Sequence, residues 1–374
     1  MKPVNVGVVG CGAISAAYLT HAAKLPILNI AAVADLNLDA ARAKASEFGV
    51  KRVLTVDELL ADKDIELVLN LTVPKAHAPI ALRALAAGKH TFCEKPLAVN
   101  RAEGQSVIAA AKSAGLLAGC APDTFLGSGI QTARKLVDDG AIGAPVSFLS
   151  LWLSRGHEHW HPNPEFYYEV GGGPMMDMGP YYLTALLQIL GPVKAYTGLA
   201  AITQRSRTIT HKDKTGTPMH KFGKVMPVET PDHVMGLIQF ESGCTGTIAT
   251  SFATRAAKVD WKNPIQIFGT AGSILVPDPN GFDGTVKLCR FSDGPDEWID
   301  VEPTHAVGYG RSVGLADLAT AIRRGIQPRA SADQAMAVLD IMDGMISPEL
   351  TWRTPCIAYT RPPAMLAGAP FGTF

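Results

Sequence analysis

Uncharged apolar runs alternate with amphipathic stretches over the first third of the chain. The first run, residues 4–9, is rich in valine, which is typical of a strand buried on both faces of a parallel sheet. Patterns with helical spacing separate it from similar runs at residues 30–34, 67–71, 90–93 and 116–121. This alternation predicts an α/β domain with a doubly wound parallel sheet in residues 1–124.

The pattern changes after residue 125, where candidate strands follow one another with short turns between some of them, as is typical of antiparallel pairing. These strands are at 145–152, 194–202, 233–240, 245–251 and 265–268. We therefore predict a C-terminal α+β domain, residues 125–350, with a large open, mostly antiparallel sheet, and then an irregular arm at 351–374. The Lys-, Thr- and Gly-rich stretch 205–228 is predicted to be an exposed excursion.

A glycine-rich turn follows the first predicted strand and opens a helical pattern. Gly10 permits the tight bend, and Gly12 lets backbone amides approach a pyrophosphate that lies on the helix N-terminus. Ser15 stands at the third position of the usual fingerprint and is small enough for helix and strand to pack closely. The turn therefore predicts a dinucleotide site at Gly10, Gly12, Ala13 and Ile14, which is the architecture of a Rossmann domain.

An acidic residue, Asp35, ends the second predicted strand, where it can accept hydrogen bonds from an adenosine ribose. Its charge would repel the 2′-phosphate of NADP, and no arginine follows immediately to offset that repulsion. The sequence therefore favours NAD over NADP as the cofactor. The alternative is an ordinary strand–helix–strand turn in which Asp35 only caps the next helix.

Polar residues follow the strand at 67–71. In a doubly wound sheet the ligand lies beyond the carboxyl ends of the strands, so we expect Thr72, Pro74 and His77 to face the cofactor. The alternative for His77 is a helix-start residue without a ligand.

Glu94, Lys95 and Pro96 follow the next strand, and we assign all three to the cofactor site. Pro96 biases Lys95 toward an extended backbone, which helps to aim the side chain at the point where a nicotinamide would project. The Lys95 amine can hydrogen-bond a substrate hydroxyl and, with a lowered pKa, accept or relay a proton. Because surface lysines are common, spacing alone makes Lys95 no more than a candidate.

The glycine turn with Asp35, the strand ends around Pro74 and Lys95, and the stretch 171–181 together resemble the glucose-fructose oxidoreductase, inositol dehydrogenase and rhizopine catabolism (Gfo/Idh/MocA) family. The resemblance covers nearly the whole chain. It implies a bilobal, nicotinamide-dependent oxidoreductase that acts on a ring hydroxyl or ketone of a sugar, sugar derivative or cyclitol. It also implies that the open sheet forms an oligomer contact, so we expect a homodimer or homotetramer.

The resemblance also implies the catalytic residues. The family supplies an Asp at the position of Asp177 and commonly a His four residues later, where this chain has Tyr181. We expect Lys95 to act as base or proton relay, Tyr181 as hydrogen-bonding orienter or second base, and Asp177 to hold Lys95 or a substrate hydroxyl. Because Pro180 is unfavourable inside a helix, we predict that a helix starts at 179–180 and that Asp177 lies in the turn before it. The family often places residues such as His305, Tyr309 and Arg311 near the site.

Three histidines alternate at 157, 159 and 161, in a stretch that also holds Trp160. Such spacing suggests a metal, but two nearby prolines indicate a loop, and the resemblance calls for no metal. We predict no metal site and expect an aromatic, hydrogen-bonding loop whose His157, Trp160 and His161 contact the substrate. The alternative is that the aromatic rings only pack beneath the loop. The resemblance places the segment with Asp123 where the domains meet, beside the nicotinamide.

The composition indicates no polyanionic partner, because 34 Lys and Arg balance 34 Asp and Glu. Nucleic acid is therefore not indicated. The six cysteines are scattered without a C-x-x-C pair, and no signal segment or membrane-spanning run is evident, so we expect a cytoplasmic protein without a membrane partner.

Two other functions remain open. Glycosidases on this scaffold oxidise a ring hydroxyl transiently, eliminate the aglycone and return the hydride, so they need NAD but release no net NADH. A sugar-sensing regulator would keep the fold without catalysis, although the presence of Lys95 and Asp177 counts against it.

Overall fold

The computed structural model describes residues 1–254, 262–294 and 297–374. Its N-terminal part contains the strands β1 (Val4–Val9), β2 (Leu28–Ala34), β3 (Val53–Leu54), β4 (Leu67–Asn70), β5 (His90–Cys93) and β6 (Ala118–Cys120). They are all parallel and pair in the order β3-β2-β1-β4-β5-β6. The predicted doubly wound parallel sheet is therefore confirmed.

Helices cover both faces of this sheet: α1 (Ala13–Ala22), α2 (Leu38–Phe48), α3 (Val56–Ala61), α4 (Pro74–Ala86) and α5 (Arg101–Ala114). Every residue of β4 is buried. Leu67 and Leu69 belong to one apolar cluster, while Val68 belongs to another on the opposite face. Burial on both faces explains why this strand reads as an uncharged run.

The opening turn lies at the point where the strand order reverses, between β1 and β4. Gly10 has a φ of +102°, and a Cβ atom on it would lie 2.7 Å from the backbone of Leu71. Glycine therefore meets two requirements here, the left-handed conformation and the close approach to the end of β4. This crevice is where a doubly wound sheet binds its ligand.

The second lobe contains an open sheet of eight strands: β7 (Pro145–Leu153), β8 (Val193–Ala201), β11 (His233–Phe240), β12 (Thr245–Ser251), β13 (Ile265–Gly269), β14 (Gly272–Val276), β15 (Val286–Arg290) and β16 (Ile299–Val301). Two short strands, β9 (Ser206–Thr208) and β10 (Val225–Pro227), pair separately. The large sheet has the order β16-β15-β14-β13-β7-β12-β11-β8, and β7 with β12 is its parallel pair. The predicted mostly antiparallel sheet is confirmed.

Four further helices complete the fold: α6 (Ser128–Asp138), α7 (Gly173–Leu190), α8 (Val313–Arg324) and α9 (Ala332–Ile346). Helices α7 and α9 pack on one face of the large sheet, and α9 also contacts α5 and β6 of the first lobe. The amide of Cys120 donates to the carbonyl of Ala330 at 3.1 Å. The two lobes also share one continuous apolar cluster.

The opposite face of the large sheet exposes apolar side chains, including Leu149, Leu199, Met235 and Leu237. Along β11 these exposed residues alternate with buried ones, as expected for a strand with only one covered face. None of the helices in the described ranges has the length and apolar character that crossing a bilayer requires.

The prediction of a helix start at residues 179–180 is wrong. Helix α7 begins at Gly173, has Pro174 in its first turn and continues through Pro180. Nearly all of its residues are buried, so tertiary packing outweighs the hydrogen bond that a proline removes. Asp177 and Tyr181 therefore lie one turn apart on the same helix face.

The prediction that the whole stretch 205–228 is exposed is also wrong in part. Arg207 on β9 is fully buried and donates to Glu158 at 3.2 Å and to Asp232 at 2.7 Å. Glu158 also accepts a hydrogen bond from the Tyr168 hydroxyl. The segment is therefore anchored by a buried ion network beneath the loop that carries His157.

Replacing Arg207 with Met should destabilise the protein by about 3–5 kcal/mol, because it leaves two carboxylates buried without their cation. Arg290→Met is the matched control, since it breaks an exposed pair with Asp293 and should cost less than about 1 kcal/mol. Urea unfolding measures both. Equal costs for the two variants would contradict the buried network.

Candidate active site

A cavity of about 770 Å³ lies between the two lobes. The first lobe contributes Ile14, Thr72, Pro74, Glu94, Lys95 and Pro96. The second contributes, among others, Trp152, Arg155, His157, His159, Trp160, Phe166, Tyr167, Met176, Asp177, Tyr181, Thr254 and Asn280. Residues from the carboxyl ends of β4 and β5 thus meet α7 and the loop after β7 across one space.

An ion pair between Lys95 and Asp177 joins the lobes inside this cavity. The Lys95 Nζ donates to Asp177 Oδ1 at 2.7 Å and to the Asp177 carbonyl at 2.8 Å. Burial lowers the pKa of Lys95, but Asp177, Tyr181 and Glu94 outweigh it and leave that pKa above its usual value. Burial raises the pKa of Asp177, but Lys95 and His157 outweigh it and leave that pKa below its usual value. Both groups are therefore charged at neutral pH.

His157 holds the second oxygen of the Asp177 carboxylate. The indole Nε1 of Trp160 donates to His157 Nδ1 at 3.1 Å, and His157 Nε2 lies 3.0 Å from Asp177 Oδ2. Because Nδ1 accepts a hydrogen bond, the ring proton of a neutral imidazole is on Nε2 and is donated to Asp177. Trp160 and His157 therefore orient the carboxylate from the loop side.

Tyr181 lies between two cations. The Lys95 Nζ is 5.2 Å from the centroid of its ring, and Arg311 Nη2 donates to its hydroxyl at 2.9 Å. Burial raises the pKa of Tyr181 above its usual value, while Lys95 and Arg311 act in the opposite direction. The phenol is thus protonated in the resting site and has two positive charges available to stabilise a phenolate.

The opening turn has the features that a dinucleotide needs. A Cβ atom built on Gly12 would meet no other atom within 4 Å, so there is room beside the turn. No side chain caps the N-terminus of α1, where Ala13 and Ile14 form the first turn. Asp35 accepts the amides of Cys11 at 2.7 Å and Asn37 at 2.8 Å, and its oxygens keep further lone pairs for a ribose. The residues present therefore fit a bound dinucleotide.

His77, Asp123 and His161 are predicted site residues that do not line the cavity. His77 is 1% exposed, and its ring nitrogens lie 2.6 Å from the Pro96 carbonyl and 3.0 Å from the Thr72 carbonyl. It therefore braces the two strand ends, and its contact with the cofactor stays a prediction. Asp123 is fully buried against Arg311 and does not line the cavity, so its contact with substrate stays a prediction.

His161 was predicted to contact substrate, but it does not line the cavity. Its Nδ1 accepts the amide of Asn163 at 3.1 Å, and its ring packs edge to face against Trp160, Phe166 and Tyr167. These ring contacts fit the alternative of packing beneath the loop, and the contact of His161 with substrate stays a prediction. His157 and Trp160, by contrast, do line the cavity.

Sequence reasoning missed several lining residues from loops, among them His159, Thr254 and Asn280. His159 belongs to the alternating histidines, whereas no local pattern marks Thr254 or Asn280. Of the three later residues that the resemblance places near the site, Arg311 contacts the lining residue Tyr181. His305 bonds to the Met365 carbonyl and Tyr309 stacks on Phe371, both at the C-terminal arm.

These features define a dinucleotide-dependent oxidoreductase: a Rossmann sheet whose opening turn has room for the cofactor, and a second lobe that closes a cavity around a lysine–carboxylate pair. The chain belongs to the Gfo/Idh/MocA family of oxidoreductases. Residues 4–121 match the oxidoreductase family with an NAD-binding Rossmann fold, and residues 130–275 match the Gfo/Idh/MocA C-terminal domain.

Similar proteins include characterised dehydrogenases and reductases. Levoglucosan dehydrogenase of Pseudarthrobacter phenanthrenivorans is 30% identical over 74% of this chain and 74% of its own. The 1,5-anhydro-D-fructose reductase of Ensifer adhaerens is 26% identical over 88% of this chain and 91% of its own. A solved levoglucosan dehydrogenase complex with NADH and levoglucosan has the same fold, with a TM-score of 0.78 and 23% identity over 95% of this chain and 99% of that one.

The Lys95–Asp177 pair should make the free energy of unfolding depend on pH in the acid range. Because the folded pKa of Asp177 is depressed, its contribution is present above the unfolded pKa of about 4 and is lost as pH falls toward the folded value. Asp177→Asn should therefore reduce the slope of unfolding free energy against pH below about pH 4 by up to about 1.4 kcal/mol per pH unit. Lys95→Met should reduce the same slope, because it removes the cation that depresses the pKa. Urea unfolding as a function of pH measures this, and unchanged slopes in both variants would contradict the pair.

Proposed function

We propose that this oxidoreductase is an NAD-dependent dehydrogenase or reductase that transfers hydride between the nicotinamide and a ring hydroxyl or ketone of a sugar, sugar derivative or cyclitol. The observation that carries the proposal is the Lys95–Asp177 ion pair, contributed from two lobes, in a cavity that Ile14 and Tyr181 also line. The dehydrogenases and reductases to which the chain is similar support the substrate class.

The cofactor would be held by the opening turn and by the strand ends that surround the cavity. These residues are Gly10, Gly12, Ala13, Ile14, Asp35, Thr72, Pro74, Glu94, Lys95 and Pro96. When bound, a nicotinamide supplies the two-electron hydride acceptor or donor. The protein's contribution is to orient the substrate carbon and to manage the proton of its oxygen.

For the proton we propose a division among three residues. Lys95 is held as an ammonium by Asp177, so it donates a hydrogen bond to the reacting oxygen and stabilises the alkoxide that forms when the hydroxyl loses its proton, before hydride leaves the carbon. This makes Lys95 a charged hydrogen-bond donor rather than a free base in the resting site. Tyr181 exchanges the proton with the substrate oxygen, and Asp177 holds Lys95 in place with help from His157.

The loop after β7 would bind the apolar face of the substrate ring. Trp160 and Phe166 are about half exposed where they line the cavity, at 48% and 44%. Flat aromatic surfaces of this kind pack against the C–H face of a sugar or cyclitol, and His157 and His159 add hydrogen-bonding nitrogens.

We further propose a cytoplasmic homodimer or homotetramer. The exposed apolar residues Leu149, Leu199, Met235 and Leu237 on the uncovered face of the large sheet support an oligomer contact there. The unpaired cysteines of the described chain support a reducing compartment.

A substrate screen tests the function. Pyranoses, glycosides, anhydrosugars and inositols are incubated with NAD or NADP, and NADH absorbance is followed. Steady accumulation of NADH with one of them supports the dehydrogenase. Glycoside cleavage that requires NAD but leaves no net NADH would favour the glycosidase, while binding without turnover would favour the sensor.

Lys95→Ala should reduce kcat by about 10²–10⁴-fold, because the alkoxide loses its charged donor. NADH affinity, measured by fluorescence titration, should change by less than about threefold. Lys75→Ala is the control, since Lys75 forms an exposed pair with Glu169 outside the proposed proton path. Undiminished turnover in the Lys95 variant would remove it from the mechanism.

Asp35→Ser should lower the preference for NAD over NADP, expressed as the ratio of kcat/KM values, by about tenfold or more, because a 2′-phosphate no longer meets a carboxylate. Asp39→Ser, in the exposed first turn of the next helix, is the matched control. An unchanged ratio in the Asp35 variant would mean that selection is made elsewhere.

A further inference from the structure

Arg311 connects the substrate cavity to a buried carboxylate behind it. Its Nη2 donates to the Tyr181 hydroxyl at 2.9 Å, and its Nη1 lies 3.4 Å from Asp123 Oδ1. The Arg311 side chain is 12% exposed and Asp123 is fully buried. The guanidinium is therefore fixed between the two groups.

The backbone next to Arg311 is also fixed. Ser312 has a φ of +85°, a conformation that costs energy for a residue other than glycine. Its hydroxyl donates to the Tyr18 carbonyl at 2.9 Å, and the next helix begins at Val313. Arg311 directly precedes this connection, and its side chain extends from the loop before α8 to Tyr181 on α7.

The direction of the hydrogen bond matters for the chemistry. A guanidinium has donors only, so the Tyr181 oxygen must accept from Arg311. The phenolic proton is therefore not used in this contact, and Tyr181 donates to no residue in the described ranges. Because Tyr181 lines the cavity, its proton is free for a substrate oxygen.

We propose that Arg311 is a positioning residue that makes Tyr181 the proton donor and acceptor of the reaction. It holds the phenol oxygen at the cavity and stabilises the phenolate. During reduction the phenolic proton passes to the carbonyl oxygen whose carbon takes up hydride, which leaves a phenolate. During oxidation the phenolate takes the proton of the hydroxyl whose carbon gives up hydride. The inference rests on the proposed function and adds one residue to it.

Other charged groups face Tyr181, and their arrangement singles out Arg311. Lys95 is 5.2 Å from the ring centroid, but its charge is paired with Asp177 at 2.7 Å. Glu94 also faces the ring, and its carboxylate accepts from the Tyr18 hydroxyl at 2.8 Å and from the Lys95 amide at 2.8 Å. The third anion in the group is Asp123, which lies behind Arg311. Arg311 is the cation that contacts the phenol oxygen directly.

This arrangement also gives a physical reason for tyrosine at position 181. A guanidinium beside a phenol becomes more favourable as the phenol ionises, whereas beside a histidine it would oppose the imidazolium that forms on proton uptake. The pairing of Arg311 with Tyr181 therefore matches the charge change of each proton transfer.

The test compares Arg311→Gln, which keeps a donor but removes the charge, with Arg311→Lys, which keeps the charge. Phenol ionisation is measured without cofactor by ultraviolet difference titration, with Tyr181→Phe subtracted. The Gln variant should move the titration of Tyr181 to higher pH by about 1–3 units and reduce kcat at neutral pH by about 10–100-fold. The Lys variant should recover part of both, and NADH affinity should not change in either.

A double variant separates an effect of Arg311 on the ionisation of Tyr181 from an effect on folding. The separation is needed because removal of Arg311 also leaves Asp123 buried without its cation. Arg311→Gln combined with Asp123→Asn removes that orphaned carboxylate and should keep the shifted titration. Recovery of the wild-type titration and kcat in the double variant would overturn the proposal. So would an unshifted titration in Arg311→Gln. The phenol titration needs no turnover, so an absence of sugar oxidation by the wild type would count against the proposed function alone.

Discussion

The site depends on one interaction, the ion pair between Lys95 and Asp177. One partner follows a strand of the first sheet and the other lies on a helix of the second lobe, so the pair is complete only when both lobes are docked. A buried pair of this kind is weak evidence for stability, because removing two charges from water costs several kcal/mol and an apolar pair of similar size is often as stable. Its position in an open cavity argues that the charges serve chemistry.

The surrounding structure restricts both partners. The Lys95 amide donates to Glu94, whose other oxygen is held by Tyr18. On the other side, His157 donates to the second oxygen of Asp177 and is itself fixed by Trp160. The two charged groups thus keep their positions through partners whose own geometry is determined by packing, which is what electrostatic stabilisation of a transition state would require.

Much of the fold could be predicted from the sequence, because its signals are local. Strand β4 is uncharged since it is buried on both faces, and Gly10 is required by its own φ and by the nearby Leu71 backbone. The rule that ligands lie beyond strand ends correctly predicts that Lys95 lies at the cavity. The same rule gives no side-chain direction, so His77, one turn into its helix, was assigned to the cofactor although it is turned inward to two carbonyls.

The features that could not be predicted from the sequence depend on contacts between residues far apart in the chain. A local proline rule put the helix start at Pro180, but the burial of α7 between sheets and helices overrides it. In the sequence Arg207 looks like a surface residue, but the fold buries it against Glu158 and Asp232. Asp123 likewise looks like a ligand residue, but it is buried against Arg311. In both ion networks the fold supplies the counter-charge from a distant part of the chain, and the spacing of residues in the sequence does not predict it.

The balance of charge in the cavity bears on the substrate that we propose. Among the described lining residues, Lys95 is neutralised by Asp177, and Glu94 accepts hydrogen bonds from the Tyr18 hydroxyl and a backbone amide. Arg155, the other charged lining residue, is on the exposed side of the loop. Because the Lys95 ammonium is already paired, the cavity gains little from an anionic substrate, and its aromatic faces and hydrogen-bonding groups remain for recognition. A neutral polyol ring presents the matching surface, with C–H groups on its faces and hydroxyls on its rim.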